Sequence, residues 1–596
     1  MKKNGAVIII VIVAVLALSI LGVALLAGGS DFYSGKGTEK KPFKISSVED
    51  LRQLSKDVNE GKTYEGVYFA LGKDIDAKGA ELIPIGSRTK KFLGNFDGAN
   101  RTISNFRIRG EYEYAGLFGY VDGHIKNLTV KGAAVEADNM DTRAYVGGLA
   151  GYFLNGSIVN CKALDMDVAA ESFNGDSYSY VSDIFIGGLV GYNYNGRITG
   201  CETSGEVFAS ADSLYEYPSY TNDLAAIGRG VKIGGIAGFS ERGAVIENCK
   251  SSCLIEADAP VTYAYVGGIA GVNDNSTIIN CGTEGEVIAY AYYIYAGGVA
   301  GISQTWENTR GDAARITGSY SLSDVRVNAY CRTNSSNIYA GGIAGGNRGS
   351  ELSRCYADGI VYASGQADSY SCYVYAGGLI GSNAVYGTGE NAIAGAVKNC
   401  YTLGKVSAAA EAESSANAYA GGLIGENTSV SSGDNRIGGA VENCYSAAEV
   451  SASAETVAQT NNPYSSAYAG GLIANNQYCY VRNCFAVGKV NGKAVVPKPA
   501  EGKNTYAYAY IGGFVSSTYN NTYIVNCYRY IDQNVTAEVI KGDDINTTGT
   551  LNTAGTTKEY SELEALTFYI DTLDWNGSIW NFTAVNFAAK IYPALR

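Results

Sequence analysis

Residues 419–424 read Tyr-Ala-Gly-Gly-Leu-Ile, and residues 441–444 read Val-Glu-Asn-Cys. The first phrase, an apolar or small residue, two glycines and two further apolar residues, occurs ten times between Val146 and Val515 at intervals of 30 to 49 residues. Val146–Ala150, Ile186–Val190, Ala296–Ala300 and Ile511–Val515 are examples, and a degenerate copy, Ala115–Gly119, precedes them. Repeats at such spacing mark a solenoid or array in which each unit buries its core against the next.

Each full unit holds three apolar stretches. The first contains the glycine doublet, the second usually ends in Asn-Cys or Gly-Cys, and the third is short and alternating, as in Gly404-Lys-Val-Ser-Ala. Such stretches, bounded by Gly, Asn and Ser, carry strand and turn signals and no helical period. The separation from the first glycine to the Cys position is 14 residues at Gly147, Gly187, Gly267, Gly341 and Gly470, and 15 at Gly234 and Gly512. It is 22 or 23 at Gly297, Gly377 and Gly421. A constant register with an insertion of fixed size means paired strands and a loop that grows at one corner. The expectation is all-β: one right-handed parallel β-helix of about eleven coils, at about 4.8 Å per coil a rod roughly 50 Å long.

Composition agrees with a packed β protein. The 596 residues include 76 Gly and only 17% charged residues, with 47 Tyr against 17 Phe and 3 Trp. A net charge of −13 disfavours nucleic acid and anionic lipid as partners. Lys2 and Lys3 precede Ala6–Ala27, an uncharged apolar run. As a helix it would span roughly 33 Å, enough to cross a bilayer. The reading is a single-pass anchor with its N-terminus in the cytoplasm and the rest outside, or alternatively a cleaved signal peptide. The expected organisation is anchor or signal 1–29, polar stalk 30–42, N-terminal cap and first coil 43–110, repeats 111–535 and C-terminal cap 536–596.

Stacked coils turn repeat positions into columns. Two residues before the doublet stand Tyr145, Phe185, Lys232, Tyr265, Tyr295, Tyr339, Tyr375, Tyr419, Tyr468 and Tyr510. After the Cys position stand Tyr320, Tyr356, Tyr401, Tyr445, Phe485 and Tyr528. Rings stacked rung on rung stabilise a coil. Exposed, they would offer a strip to sugar rings or a partner protein, and the second column is the candidate binding strip. Nine cysteines, Cys161, Cys201, Cys249, Cys281, Cys355, Cys400, Cys444, Cys484 and Cys527, share one position. They read as a ladder of buried thiols, because the rung spacing exceeds disulfide reach. Off the column, Cys253, Cys331, Cys372 and Cys479 are the pairing candidates.

Here the chain resembles a known family. The Gly-Gly-Leu-x-Gly units followed by Asn-Cys-Tyr resemble the GLUG-motif repeats of bacterial surface proteins. The resemblance implies a β-helix, with Phe43–Gly61 as a capping helix opened by a Ser46/Glu49 capping box. It also implies that Phe92–Ile103 is the first coil and that Trp575, Trp580 and Tyr592-Pro593 close the rod. Relatives include adhesin-like proteins and the non-catalytic regions of IgA-specific metallopeptidases. The peptidase activity does not transfer, because a His-Glu-x-x-His site is impossible with one histidine, His124.

Chemistry is sparse. No Cys-x-x-Cys pair exists, no metal or cofactor is expected, and the acidic pairs Asp74/Asp76, Asp543/Asp544 and Asp571/Asp574 lie toward the ends, outside the columns. The three enlarged corners, Ser303–Arg315, Ser382–Gly395 and Glu426–Gly439, fall on one side of the rod, where binding loops reside on a rigid scaffold. The first holds Trp306 and Arg310-Gly-Asp312, a triplet that some animal-cell receptors recognise and that a chain of this length also produces by chance. The expected function is non-catalytic adhesion or binding to glycans or to host or neighbour-cell surface proteins. A polysaccharide lyase or hydrolase on the same scaffold and a laterally associating appendage are the alternatives.

Overall fold

The computed structural model describes residues 32–596 apart from 139–142, 175–182, 214–229, 306–312, 332–335, 369–370, 433–434, 458–461, 499–503, 520–522, 543 and 547–548. The apolar segment Ala6–Ala27 lies outside them. Among the described residues no helix is long and apolar enough to cross a membrane.

The fold is a solenoid of stacked parallel strands. One coil shows the plan: strands Ser371–Gly377, Ile380–Tyr386, Ala396–Lys398 and Lys405–Ala412, with the short Tyr401–Thr402 between the last two. Each pairs in parallel with the same segment of the next coil, so that Tyr375 faces Tyr419, Val397 faces Val441, Tyr401 faces Tyr445 and Val406 faces Val450. The strands that follow the glycines form one sheet of eleven parallel rungs, from Phe118–Val121 to Val515–Thr518.

The glycine doublet lies at a corner and not inside a strand. The first strand ends on Gly377 and the second begins at Ile380. A Cβ on Gly377 would strike the carbonyl of Ile380, and one on Gly378 the carbonyl of Gly422 in the next coil. Glycine is therefore required by close backbone approach, both within and between coils. The Asn-Cys motif has a conformational cause. Asn160, Asn248, Asn280, Asn399, Asn443, Asn483 and Asn526 all have φ between 50° and 55°, Gly200 and Gly318 share the region, and Arg354 is the exception in kind. Asparagine and glycine tolerate the left-handed turn that brings the next residue inward. Amide bonds from Asn443 to Asn399 (3.4 Å), Asn483 to Asn443 (3.2 Å) and Asn526 to Asn483 (2.8 Å) tie this corner along the rod.

That inward residue is the cysteine. All nine column cysteines are buried free thiols, with Ser319 filling the sixth-coil place. The backbone N–H of Cys355 donates to Cys400 Sγ, that of Cys400 to Cys444 Sγ and that of Cys444 to Cys484 Sγ, each at 3.4 Å. Burial pushes the Cys355, Cys400 and Cys444 thiols well up, as befits apolar fillers. The off-column pairing is corrected: Cys253, Cys372 and Cys479 are also buried and unbridged, and the side chain of Cys331 lies outside the described set.

The ends differ from expectation in four respects. The capping helix is Val48–Asn59, and its box is Ser47/Asp50, one residue beyond Ser46/Glu49: Asp50 N–H donates to Ser47 Oγ (3.1 Å) and Ser47 N–H to Asp50 Oδ2 (3.1 Å). From residue 33 on, the stretch read as a stalk is folded. Tyr33 is buried against Phe43 and Phe69, and Ser34 bridges Lys44. Phe92–Ile103 is not the first rung, since Phe43–Ile45 pairs with Phe69–Leu71, and Tyr68–Ala70 pairs with Asn95–Asp97. At the other end the parallel stack continues past residue 535: Val535–Lys541 pairs with Val490–Val496 and Thr556–Lys558 with Tyr528–Tyr530.

Candidate functional site

Three outward aromatic features bear on function, and each sits at a particular corner. The tyrosines before the doublet form a continuous stack: from Tyr265 through Tyr295, Tyr339, Tyr375, Tyr419 and Tyr468 to Tyr510, successive rings lie 4.5–5.6 Å apart and within 14° of parallel. Tyr145 stacks likewise between Tyr114 and Phe185. The corner beside them is re-entrant. In the N-terminal half a second stack, Tyr120, Tyr152, Tyr192 and Phe239, packs edge-on against the first, with Tyr145 to Tyr152 at 5.3 Å and 72°. In the C-terminal half the second stack is replaced by Gly346, Ser382, Glu426, Asn475 and Ser517, and Tyr339, Tyr375, Tyr419, Tyr468 and Tyr510 become partly exposed.

Glu426 is the one carboxylate in that replaced strip. It accepts from Gln477 Nε2 (3.0 Å) and Asn475 Nδ2 (3.5 Å). Burial pushes its carboxyl up to about 7, and the Asn475 bond only partly offsets this. Lys232 interrupts the ring stack. Its ammonium is fully buried, 4.8 Å from the Phe185 ring centre and 2.9 Å from Asp183. Burial pulls Lys232 down to about 8 against the opposing pull of Asp183. The folded form therefore sheds its proton below the unfolded value of about 10.4, and its stability rises as pH climbs through that window. In urea unfolding, the wild type is expected to gain on Lys232→Met by roughly 1 kcal/mol per pH unit between 8 and 10, with no divergence below 7. A constant difference across that range would show that Lys232 is not buried as an ammonium.

The second column does not face solvent as a strip. Tyr320, Tyr356, Tyr401, Tyr445 and Phe485 stack at 4.9–5.5 Å, but the C-terminal segment folds back along the side of the rod and covers Tyr401, Tyr445 and Phe485. Trp575 and Trp580 stack on each other at 4.4 Å; Trp575 lies 5.7 Å from Phe485, and Trp580 lies 6.0 Å from both Tyr401 and Tyr445. Tyr445 is wholly buried and donates to the Pro593 carbonyl (2.6 Å). Phe568 covers Tyr528 at 5.2 Å. As binding candidates Tyr401 and Tyr445 are therefore corrected to a docking face for the chain's own C-terminus, while Tyr528 is half-buried beside it. Tyr320, whose hydroxyl donates to Glu284 (3.4 Å), and Tyr356 remain partly exposed.

The second and third enlarged corners form antiparallel hairpins. Val385–Tyr386 pairs with Ile393–Ala394, Ser429–Ser432 pairs with Asn435–Gly438, and the two hairpins touch. Trp306, Arg310 and Asp312 of the first enlarged corner lie outside the described residues. Beside the second hairpin, Arg436 lies 3.9 Å from the Tyr478 ring centre, and Tyr478, Tyr480, Tyr519 and Tyr523 cluster there. These four had no repeat offset to reveal them. A buried amide ladder was also missed: Asn347 to Asn383 (2.7 Å), Asn383 to Asn427 (2.8 Å) and Asn427 to Asn476 (2.9 Å). Its signal was present, since each asparagine stands six residues after a first glycine.

Where they are described, the acid pairs near the ends hold turns or lie exposed. Asp74 accepts from the Thr102 N–H (2.8 Å), Asp76 accepts from Lys78 N–H (3.0 Å) and Asn105 Nδ2 (2.9 Å), and Asp571 and Asp574 are exposed. Of the third pair, Asp543 lies outside the described residues. His124 is exposed, 2.9 Å from Ser157 Oγ. Among the described residues no group of three or more His, Cys, Asp or Glu side chains could hold a metal ion.

Residues 186–207 match the family model for the GLUG motif. The chain thus carries a GLUG motif, the matched residues making up part of one coil. "Halomucin" of Haloquadratum walsbyi is 33% identical over 122 residues, 18% of this chain and 1% of that one. A "Putative Gly-rich membrane protein" of Evansella cellulosilytica is 31% identical over 134 residues, 21% of this chain and 15% of that one. The chain therefore spans only a small part of either relative. The crystal structure of a "putative immunoglobulin A1 protease" from Bacteroides ovatus aligns over 94% of both chains at 17% identity, with a TM-score of 0.21, a level that carries no argument.

Proposed function

We propose that the protein is a non-catalytic binding rod at the cell surface, a right-handed coil held by its N-terminal apolar segment and presenting its enlarged corners to glycans or to proteins of another cell. The handedness follows the rule for parallel crossovers. The observation that carries the reading is the pair of touching hairpins, Val385–Ala394 and Ser429–Gly438, projecting from the same corner of consecutive coils. Loops on a rigid scaffold are where recognition is placed. Elsewhere aromatic and thiol columns are consumed by stacking, and the acids near the ends hold turns or lie exposed.

One residue favours the enzyme alternative enough to test it. Glu426, with its carboxyl raised to about 7, suits a general acid, although no second carboxylate stands near it in the same strip. The deciding experiment applies the purified protein to glycan and surface-protein arrays, beside a variant with both hairpins cut to tight turns. Binding that disappears with the hairpins supports the rod. Binding unchanged by their removal ends it, and polysaccharide depolymerisation abolished by Glu426→Gln replaces it with the enzyme.

A further inference from the structure

We infer that the corner bearing Tyr478, Tyr480, Tyr519 and Tyr523 is a binding site for a neutral glycan chain. The inference rests on the binding-rod reading and names where and what the rod binds. The ladder tyrosines are unsuited to sugar stacking for a geometric reason. A ladder ring such as Tyr419 has a neighbour on each face, Tyr375 at 4.6 Å and Tyr468 at 4.5 Å, so only its edge reaches solvent. A sugar's C–H face needs the face of an aromatic ring, and the ladders have none to give.

The corner cluster is built otherwise. Tyr519 is 65% exposed and has a ring against one face only, that of Tyr478 at 5.4 Å and 10°. Tyr480 is 58% exposed and meets Tyr523 edge-on at 4.7 Å. Tyr523 also meets Tyr478 edge-on at 6.4 Å, so the rings form one angled surface and not a column. Exposed aromatic area of this kind on an otherwise stacked protein marks an interaction site.

The cluster is also held in place before any ligand arrives. The Arg436 guanidinium covers the Tyr478 ring at 3.9 Å and is tethered to Ser429 Oγ (3.5 Å). Tyr478 itself sits at φ 55°, a left-handed conformation uncommon for a bulky residue and of the sort found at binding sites. Tyr478 and Tyr519 belong to successive coils, and the rise of about 4.8 Å per coil is comparable to the length of one pyranose residue. With Arg436 on one face of Tyr478 and Tyr519 on the other, the faces left for a sugar are those of the exposed Tyr519 and Tyr480.

Charge selects a neutral ligand. The protein carries −13 overall, and the cation at the cluster, Arg436, is already seated on Tyr478. An acidic sugar would find no free partner there and would face the field of the whole rod.

The test titrates the full-length protein with soluble cello-, manno- and chito-oligosaccharides by calorimetry. At least one is expected to bind, with Tyr480→Ala and Tyr519→Ala each weakening it about tenfold or more, as removal of a central aromatic anchor does, while the melting temperature stays unchanged. Tyr468→Phe, in the ladder, should bind as the wild type does. Neutral oligosaccharide binding that both alanine variants retain overturns this site and leaves the rod standing. Capture of surface proteins or acidic glycans alone also overturns it, again without touching the rod. No binding to glycan or protein ends both readings.

Discussion

Truncating Trp580 to alanine is expected to cost about 3–5 kcal/mol and to free the whole C-terminal segment from the rod. Trp580 is fully buried, 4.4 Å from Trp575 and 6.0 Å from Tyr401 and Tyr445, and its indole N–H donates to Asn399 Oδ1 (3.4 Å). Its removal opens a cavity among rings that cannot close in, because the Tyr401–Tyr445–Phe485 stack is fixed by strand register on three successive coils. Trp580 sits at the centre of the aromatic cluster that docks the segment, with Phe568, Tyr569, Trp575 and Phe587 around Phe485, and the segment's own secondary structure is slight. Its helix spans only Tyr560–Leu563, and its Trp580–Asn581 strand pairs only with Ala594–Leu595. Its other ties to the coils include Trp575 Nε1 to the Asn483 carbonyl (3.0 Å), Asn526 Nδ2 to the Thr572 carbonyl (2.6 Å) and Tyr445 to Pro593. A solenoid does not unfold as one unit, so the loss should appear locally. Hydrogen exchange should show residues 560–595 losing protection in Trp580→Ala while the first coils keep theirs. Equal protection of that segment in variant and wild type would mean that the side of the rod is not clasped by its own C-terminus.

What could be read from the sequence divides along a physical line. Features fixed within a coil recur at a constant offset and are legible: the glycine doublet, the left-handed residue, mostly Asn, before the Cys position, and the ring that in nine of ten copies stands two places before the glycines. Their causes act over one rung and repeat at each. Features set by a partner far along the chain leave no periodic trace. The column at Tyr401 and Tyr445 was visible as a column, but its cover comes from a segment 148 residues away from Tyr445, and no spacing announces that contact. The same holds for Tyr480 and Tyr519, which keep no fixed place in the repeat and meet Tyr523 and Tyr478 across successive coils. The capping box shows the limit at single-residue scale. Ser46-Ser-Val-Glu-Asp50 contains two overlapping Ser-x-x-acid frames, and only the geometry of the entering chain selects Ser47 with Asp50.

The largest effect of a single added methyl is expected at the second glycine of a doublet. In Gly422→Ala the new Cβ would strike the carbonyl of Gly471 in the next coil and the Ser446 hydroxyl in its own. The Ser446 hydroxyl can rotate away, but the Gly471 carbonyl is backbone, and Gly422 is itself fixed on both sides. Gly422 N–H donates to the Gly470 carbonyl (3.0 Å), Leu423 N–H donates to that of Leu472 (2.8 Å), and Thr402 Oγ1 holds the Gly422 carbonyl (2.6 Å) from the coil before. Relief requires the rungs to part, which breaks these bonds in a buried corner and opens the core between Leu423 and Leu472, so the cost should exceed about 3 kcal/mol. The backbone angle is not at issue, since Gly422 is absent from the left-handed set and alanine could adopt its conformation. Gly577→Ala supplies the contrast: no atom lies within 4 Å of its added Cβ, and the change should be neutral or slightly stabilising. Chemical denaturation followed by circular dichroism would separate the two variants, and a Gly422→Ala protein as stable as Gly577→Ala would mean that the doublet is not where successive coils touch.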